Sequence, residues 1–341
     1  MKKHYIIIGV LLILCTILSV ALISAKTSGD EEECKSTPNS SVTDFDSLNY
    51  INSFDVSDFS GTELNTIDIA AKKYTNNVIS IADSSFKISD DLTNKIYNTI
   101  NSYGVSNSFY IVSLNDGMSI GYNVDKKYET ASSIKAPYAL YIYEEIEKGN
   151  IDPNQQISYE SKYYNKGTGI IKKSDFGTVY TVRDLVYHSL YESDNIAHIM
   201  LHRNFGVKGY NNMLKNLGAK QLYLTATNPW GYTSPRSGAL IWQEIYNFSV
   251  RSDEGITFLN ILSTGKYNYF KEVMPTIPSA SKTGFASKSV IETGIVFGNQ
   301  PYIAIAMANK GGNIGAYTQV LKLVSLMNDI MNEYDDYLEK K

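Results

Sequence analysis

Residues 121–140 read GYNVDKKYETASSIKAPYAL, and Ser132 and Lys135 fall where an extended segment gives way to a helical one. On a helix, positions i and i+3 share a face, so the Lys135 amine can reach the Ser132 hydroxyl. A serine hydroxyl is a poor nucleophile until a neighbouring base takes its proton. Lysine can be that base once burial or nearby positive charge lowers its pKa. A helix start helps twice: its dipole disfavours the protonated amine, and its free backbone N–H groups can hold a developing oxyanion. The spacing alone is not specific, because Ser84…Lys87, Ser263…Lys266 and Ser279…Lys282 repeat it.

Working outward, a helix is expected from Ser132 to Lys148, stopped by Gly149. Upstream, Ser89 can cap a helix whose Leu92, Ile96, Ile100 and Tyr103 recur on one face. SFYIVSL (108–114), the Asn115-Asp116-Gly117 turn and MSIGYNV (118–124) read as a β-hairpin. A helical block is expected to run to about Phe248. Strands return as SASKTGFAS, VIETGIVFG and PYIAIAMANK, and a last helix carries Val320, Leu323, Met327, Ile330 and Tyr334 on one side. This order predicts an α+β protein. The first and last helices cover one antiparallel sheet, the middle segment forms an all-helical lobe, and the cleft between sheet and lobe is the natural site.

Two further motifs occur once each: Ser193-Asp194-Asn195 and Lys282-Thr283-Gly284. Each has a bland reading. The first suits a helix cap and the second a strand edge guarded by lysine. Together with Ser132…Lys135, in this order, they form the set typical of class A β-lactamases and penicillin-binding proteins. From about Ser85 to the C-terminus, roughly three quarters of the chain, the sequence resembles this active-site-serine, penicillin-recognising family. GYNVDKKYETASSIKAPYAL resembles the entry to its nucleophile helix, TVRDLVYHSLYESDNIAHIML the helix with its second motif, and SASKTGFAS the strand lining its cleft. The interval of 58 residues from Lys135 to Ser193 is close to the family's. The resemblance implies that Ser132 attacks the carbonyl and that Lys135 accepts its proton directly or through water. Ser193 would relay a proton to the leaving nitrogen, and Lys282 would hold that hydroxyl and the substrate carboxylate in a positive field. Asn195 would bind the substrate's amide side chain and Lys135, Thr283 the carboxylate, and the N–H groups of Ser132 and Phe285, beyond Gly284, the oxyanion. No cofactor is implied.

The chain departs from the family in one place that matters. Class A β-lactamases carry a glutamate on an Ω-shaped loop, and it activates the deacylating water. Here no glutamate stands between Glu192 and Glu244, and GAKQLYLTATNPWGYTSPRSGAL occupies the place. Only 89 residues separate Ser193 from Lys282, fewer than is usual in the β-lactamases. An arginine common on the strand after Lys282 is also absent, with Thr293 near its place. General-base help is worth about 10²–10⁴ in rate, so acylation should survive while a penicilloyl group leaves slowly. The expectation is a D,D-peptidase-like enzyme acylated by β-lactams or by wall peptides ending in D-Ala-D-Ala. A true β-lactamase is the alternative, and a receptor that stays acylated or a wall-binding module is a remoter one.

The whole chain sets the compartment. Lys2, Lys3 and His4 precede an uncharged stretch from Tyr5 to Ile23, whose core of about 27 Å in helical form nearly spans a bilayer. Residues 1–25 are read as a membrane anchor or cleaved signal peptide, 26–85 as a polar stalk with one short helix near Ile67–Val78, and 86–341 as the catalytic domain, outside the membrane or secreted. Cys34 is alone in the exported part, so no internal disulfide supports it. A net charge of −4 over 341 residues argues against a nucleic-acid partner. His198 and His202 have a zinc-compatible spacing but no HExxH, and packing is the preferred reading, with no metal expected. Trp230 and Tyr232 could border the cleft, although packing of the shortened loop is the commoner explanation. The sequence leaves the oligomeric state open.

Overall fold

In the computed structural model, which describes residues 80–82, 85–102, 106–309 and 315–341, regular structure follows the apolar periodicity. β1 (Ser80–Ala82) precedes α1 (Asp90–Ile100), and β2 (Asn107–Ser113) and β3 (Ser119–Tyr122) form the expected hairpin. β4 (Tyr128–Glu129) and a 3-10 turn (Ala131–Ile134) lead into α2 (Lys135–Glu147). β5 (Gln156–Ser158) and β6 (Val179–Thr181) come next, then α3 (Val182–Tyr191), α4 (Asn195–Phe205) and α5 (Lys208–Leu217). β7 (Tyr232–Thr233) introduces α6 (Pro235–Arg251), α7 (Asp253–Thr264) and α8 (Tyr269–Val273). β8 (Ser279–Phe285), β9 (Ser289–Val296), β10 (Tyr302–Asn309) and α9 (Gly315–Glu339) close the order.

Six strands make one antiparallel sheet in the order β1-β3-β2-β10-β9-β8. Its two faces are sorted by side-chain size along β10. Ile303, Ile305 and Met307 point into the lobe with α2 and α6, while Ala304, Ala306 and Ala308 face α1 and α9. A strand buried on both faces reads as a continuous apolar run, and the small alanines let α9 lie close. The stripe Val320, Leu323, Met327, Ile330 and Tyr334 is buried there as expected. Ser89 caps α1 through Leu92 N (3.2 Å) and binds Glu333 of α9 through its own N and Oγ, both at 2.7 Å. The α+β class, the shared face of first and last helices, and the helical lobe are therefore as expected.

Three expectations need correction. The sheet begins at Ser80, which pairs with Gly121, inside the segment expected to be stalk up to Ser85. The helix expected from Ser132 starts at Lys135, because Ala131 has a left-handed φ of 47° and the next residues wind as a 3-10 turn. The helical block also contains short extended pairs, β5 with β6 and β4 with β7, too brief to show period-2 patterning. The expected anchor, Cys34 and the short helix near Ile67 lie outside the described residues. Among the described residues no helix is long and apolar enough to cross a membrane.

Leu323→Ala empties a fully buried site between sheet and α9. We expect it to cost about 2–5 kcal/mol in urea unfolding; a loss within experimental error would mean that α9 does not cap this core.

Candidate active site

The 3-10 turn presents Ser132 at the base of a cleft of about 410 Å³, lined also by Asn195, Asn228, Trp230, Tyr232 and Phe285. The turn is tied on both sides. Ser133 Oγ donates to Thr130 O (2.7 Å), and Thr130 Oγ1 donates to Gly231 O at 3.1 Å. One turn of chain later, Lys135 is fully buried and its Nζ lies 2.9 Å from Ser132 Oγ. The same nitrogen donates to Ser193 O (2.5 Å) and Asn195 Oδ1 (2.7 Å), with Ser193 Oγ at 3.3 Å.

These partners decide what the amine can do. A carbonyl oxygen only accepts, so Ser193 O and Asn195 Oδ1 take the two N–H bonds of a neutral amine. The lone pair is then left for the Ser132 hydroxyl proton. Burial holds Lys135 well below the ordinary lysine range, the Lys282 charge pushes the same way, and Asp194 opposes them. Burial and the Lys282 charge thus both favour the neutral amine that a general base must be.

Ser193 sits between two lysines because its backbone is held at a left-handed φ of 57°. That conformation is imposed by Asp194, whose carboxylate caps α4 at Ile196 N (2.8 Å) and Ala197 N (3.1 Å) with one oxygen. The other oxygen accepts from Ile170 N (2.6 Å) and Ile171 N (2.9 Å). Lys282, buried on β8, donates to Ser193 Oγ at 3.0 Å, which leaves the Ser193 proton free to point into the cleft. Burial lowers Lys282 to about 8, with Glu292 pulling it back up. Glu292 is itself buried on β9 and pushed up to about 7 by that burial.

The structure thus brings together Ser132, Lys135, Ser193, Asn195 and Lys282, with Phe285 exposed at the cleft edge. Thr283 differs from expectation. Its hydroxyl is buried and donates to Glu292 Oε2 at 2.6 Å, residues 283 and 292 being cross-strand partners, with Tyr267 O a further acceptor at 3.1 Å. Thr293 Oγ1 donates to Lys282 O (3.2 Å) and contributes nothing to the cleft wall. Gly284 serves contact: a Cβ there would lie 2.5 Å from Thr130 O and 3.1 Å from Ser133 N. Without a side chain, β8 can lie against the nucleophile turn.

The loop in place of the Ω-shaped one is held by its own carbonyls. His198 Nε2 donates to Pro229 O (2.9 Å), His202 Nε2 to Thr225 O (3.0 Å), and Arg203 to Ala226 O (3.1 Å). Burial drops His198 to about 3, so it stays neutral and keeps this tautomer. Trp230 and Tyr232 both line the cleft, and Lys135 Nζ stands 5.5 Å from the Trp230 ring. Sequence reasoning missed Glu129, Thr168 and Asn228 as lining residues, and Asn165, whose Oδ1 accepts from Asn195 Nδ2 at 3.1 Å. None sits in a motif, so no spacing signals them.

Comparison with known proteins yields a family and a fold. A model described as the beta-lactamase enzyme family matches residues 91–333. Among curated proteins, beta-lactamase SME-1 of Serratia marcescens is 26% identical over 117 residues, 34% of this chain and 40% of that relative. Beta-lactamase VEB-1 of Pseudomonas aeruginosa is 30% identical over 110 residues, 32% of this chain and 37% of that relative. The chain therefore spans about two fifths of the length of these relatives. Solved structures share the fold. A beta-lactamase from Sphaerobacter thermophilus has a TM-score of 0.62 at 18% identity, over 69% of this chain and 94% of its own. PBP-A has a TM-score of 0.64 at 17% identity, over 72% and 97%.

Gly284→Ala would push β8 off Thr130 and Ser133. The expected loss is about 1–3 kcal/mol of stability, read from the urea midpoint; an unchanged midpoint would show that the strand has room to move.

Proposed function

The chain belongs to the beta-lactamase enzyme family, and on that premise we propose that it is a serine acyl-transferring hydrolase of the D,D-peptidase type, working outside the cytoplasmic membrane. Its substrates on this reading are wall peptides ending in D-Ala-D-Ala, and β-lactams acylate it and leave slowly. The observation that carries the reading is the buried Lys135 amine 2.9 Å from Ser132 Oγ, with Ser193 O and Asn195 Oδ1 placed to accept its N–H bonds. The apolar stretch Tyr5–Ile23 with Lys2 and Lys3 before it supports the compartment and single-pass attachment.

The chemistry follows from the placement of each group. Lys135 takes the Ser132 proton as Oγ attacks the carbonyl, and the charge that develops on the carbonyl oxygen meets the amide edge of the cleft. The Ser193 hydroxyl, fixed by Lys282, delivers a proton to the departing nitrogen and is reprotonated from Lys135 through the 3.3 Å contact. The products are an ester on Ser132 and a free amine. Deacylation needs a water whose proton is removed. No carboxylate is among the hydrogen-bond partners of Lys135, and the loop from Gly218 to Leu240 contains no acidic residue. Glu129 is the one carboxylate lining the cleft among the described residues, and it is not among the hydrogen-bond partners of Lys135. This supports slow release of a penicilloyl group, whose bulk stays in the site, and easier release after a small D-alanine has left.

The second reading, a turning-over β-lactamase, is favoured by the names of the curated relatives. A chromogenic β-lactam separates the two. We expect a burst of one equivalent, an adduct on Ser132 by intact mass, and little further turnover; Ser132→Ala should give neither. Sustained hydrolysis would establish the β-lactamase, and a wild type without adduct would overturn the proposal.

The acylation rate should also fall as pH rises through about 8. Lys282 is charged below that value and neutral above it, and the positive field it places at Ser193 depends on the charge. Because Glu292 raises Lys282, Glu292→Gln should shift this limb to lower pH. A rate that is flat to pH 10 would remove the need for a charged Lys282.

A further inference from the structure

The cleft is charged in an unexpected sense. Lys135 and Lys282 stand behind Ser132 and Ser193, both buried, and neither lines the cleft wall. Thr283, which the resemblance would turn toward a substrate carboxylate, is bonded to Glu292 instead, and Thr293 stands near the place of the expected arginine. Among the described residues the single charged side chain on the wall is Glu129. It is not there by accident of a loose loop. Glu129 is paired with Tyr232 across β4 and β7, and its carbonyl accepts from Ser289 Oγ at 2.6 Å.

The rim around it already collects ammonium groups. Lys288 Nζ lies 3.1 Å from Glu129 Oε1, and Lys127 Nζ stands 4.4 Å over the Tyr232 ring. The Lys288 side chain is 72% exposed, and an ion pair this open is weakly held because solvent screens it and two long side chains lose freedom. A ligand ammonium carried into the cleft by the rest of a substrate can displace it. There it would meet the carboxylate with aromatic faces beside it, the surroundings that favour a cation over a neutral group.

We infer that Glu129, with its cross-strand partner Tyr232 beside it and Trp230 lining the same cleft, is an ammonium subsite, so that the preferred substrates are peptides or β-lactams carrying a free primary amine on the acyl side. The inference rests on Ser132 being the acylated residue and adds what the acyl group must carry.

A matched pair of ligands tests it on the full chain: a penicillin whose acyl side chain ends in a primary alkylamine, and the same penicillin with that amine acetylated. The ratio of their second-order acylation rates on Ser132 is the readout. Wild type should favour the amine about fivefold, the size of one partly exposed ion pair, and less at high salt. Glu129→Gln should bring the ratio near one. Lys288→Ala, which frees the carboxylate, should raise it. Equal rates in wild type, or a preference that survives in Glu129→Gln, would overturn the subsite. If neither penicillin acylates the wild type, the proposed function fails. Calorimetric binding of the same pair to Ser132→Ala then decides the subsite alone: a preference for the amine that Glu129→Gln abolishes supports it, and equal or absent binding refutes it.

Discussion

The site depends on keeping one amine dry and giving it two carbonyls. A lysine exposed to water is protonated at neutral pH and cannot accept a proton. Lys135 escapes this by full burial, and its two N–H bonds are taken by Ser193 O and Asn195 Oδ1. Ser193 O faces the amine only because Ser193 is held left-handed, an arrangement that costs a non-glycine residue of order 1–3 kcal/mol. Asp194 supplies the restraint through four backbone N–H bonds, two from α4 and two from Ile170 and Ile171. The middle residue of the Ser-Asp-Asn motif thus never touches the cleft, yet its neighbours on either side cannot be placed without it.

The other wall answers to a different constraint, close approach of two backbones. β8 must bring Lys282 within reach of Ser193 while the 3-10 turn occupies the space in front of it. Gly284 resolves the conflict by carrying no side chain. Burying a lysine and a carboxylate together is expensive when either stands alone. Here Lys282 bonds Ser193 and Glu292 accepts from Thr283, and each charge lowers the other's penalty. The arrangement carries a functional consequence, since the hydroxyl that steadies Glu292 is withdrawn from the substrate side.

Legibility in the sequence tracks the range of the interaction. The α1 face over Leu92, Ile96 and Ile100 (Tyr103 lies outside the described residues), the hairpin, the late strands and the α9 stripe are local periodicities, and each stands where its pattern puts it. That Ser132, Lys135, Ser193, Asn195 and Lys282 would stand together is legible because three short motifs in a fixed order point to them as a set. The bond from Thr283 to Glu292 is not legible in the sequence, because it joins cross-strand partners in a segment whose pairing no motif encodes. The 3-10 turn was read as helix because Ala131 at φ 47° leaves no compositional trace. Glu129 escaped notice because its role arises from β7, about a hundred residues downstream, closing over it.

The shortened loop shows how one element can protect a base and deny another. His198 and His202 are neutral donors on one face of α4, and with Arg203 they grip the carbonyls of Thr225, Ala226 and Pro229. A loop held by its carbonyls needs no acidic side chain of its own to stay in place. The grip seats Trp230 against His198 and over Lys135, with ring centroids 5.2 Å apart in the first case. An indole there adds to the burial that holds Lys135 below the ordinary lysine range, the state in which it can take the Ser132 proton. The same loop, from Gly218 to Leu240, brings no acidic residue to the cleft. On the proposed reading, fast acylation and slow release of a bulky acyl group are two results of a single packing choice.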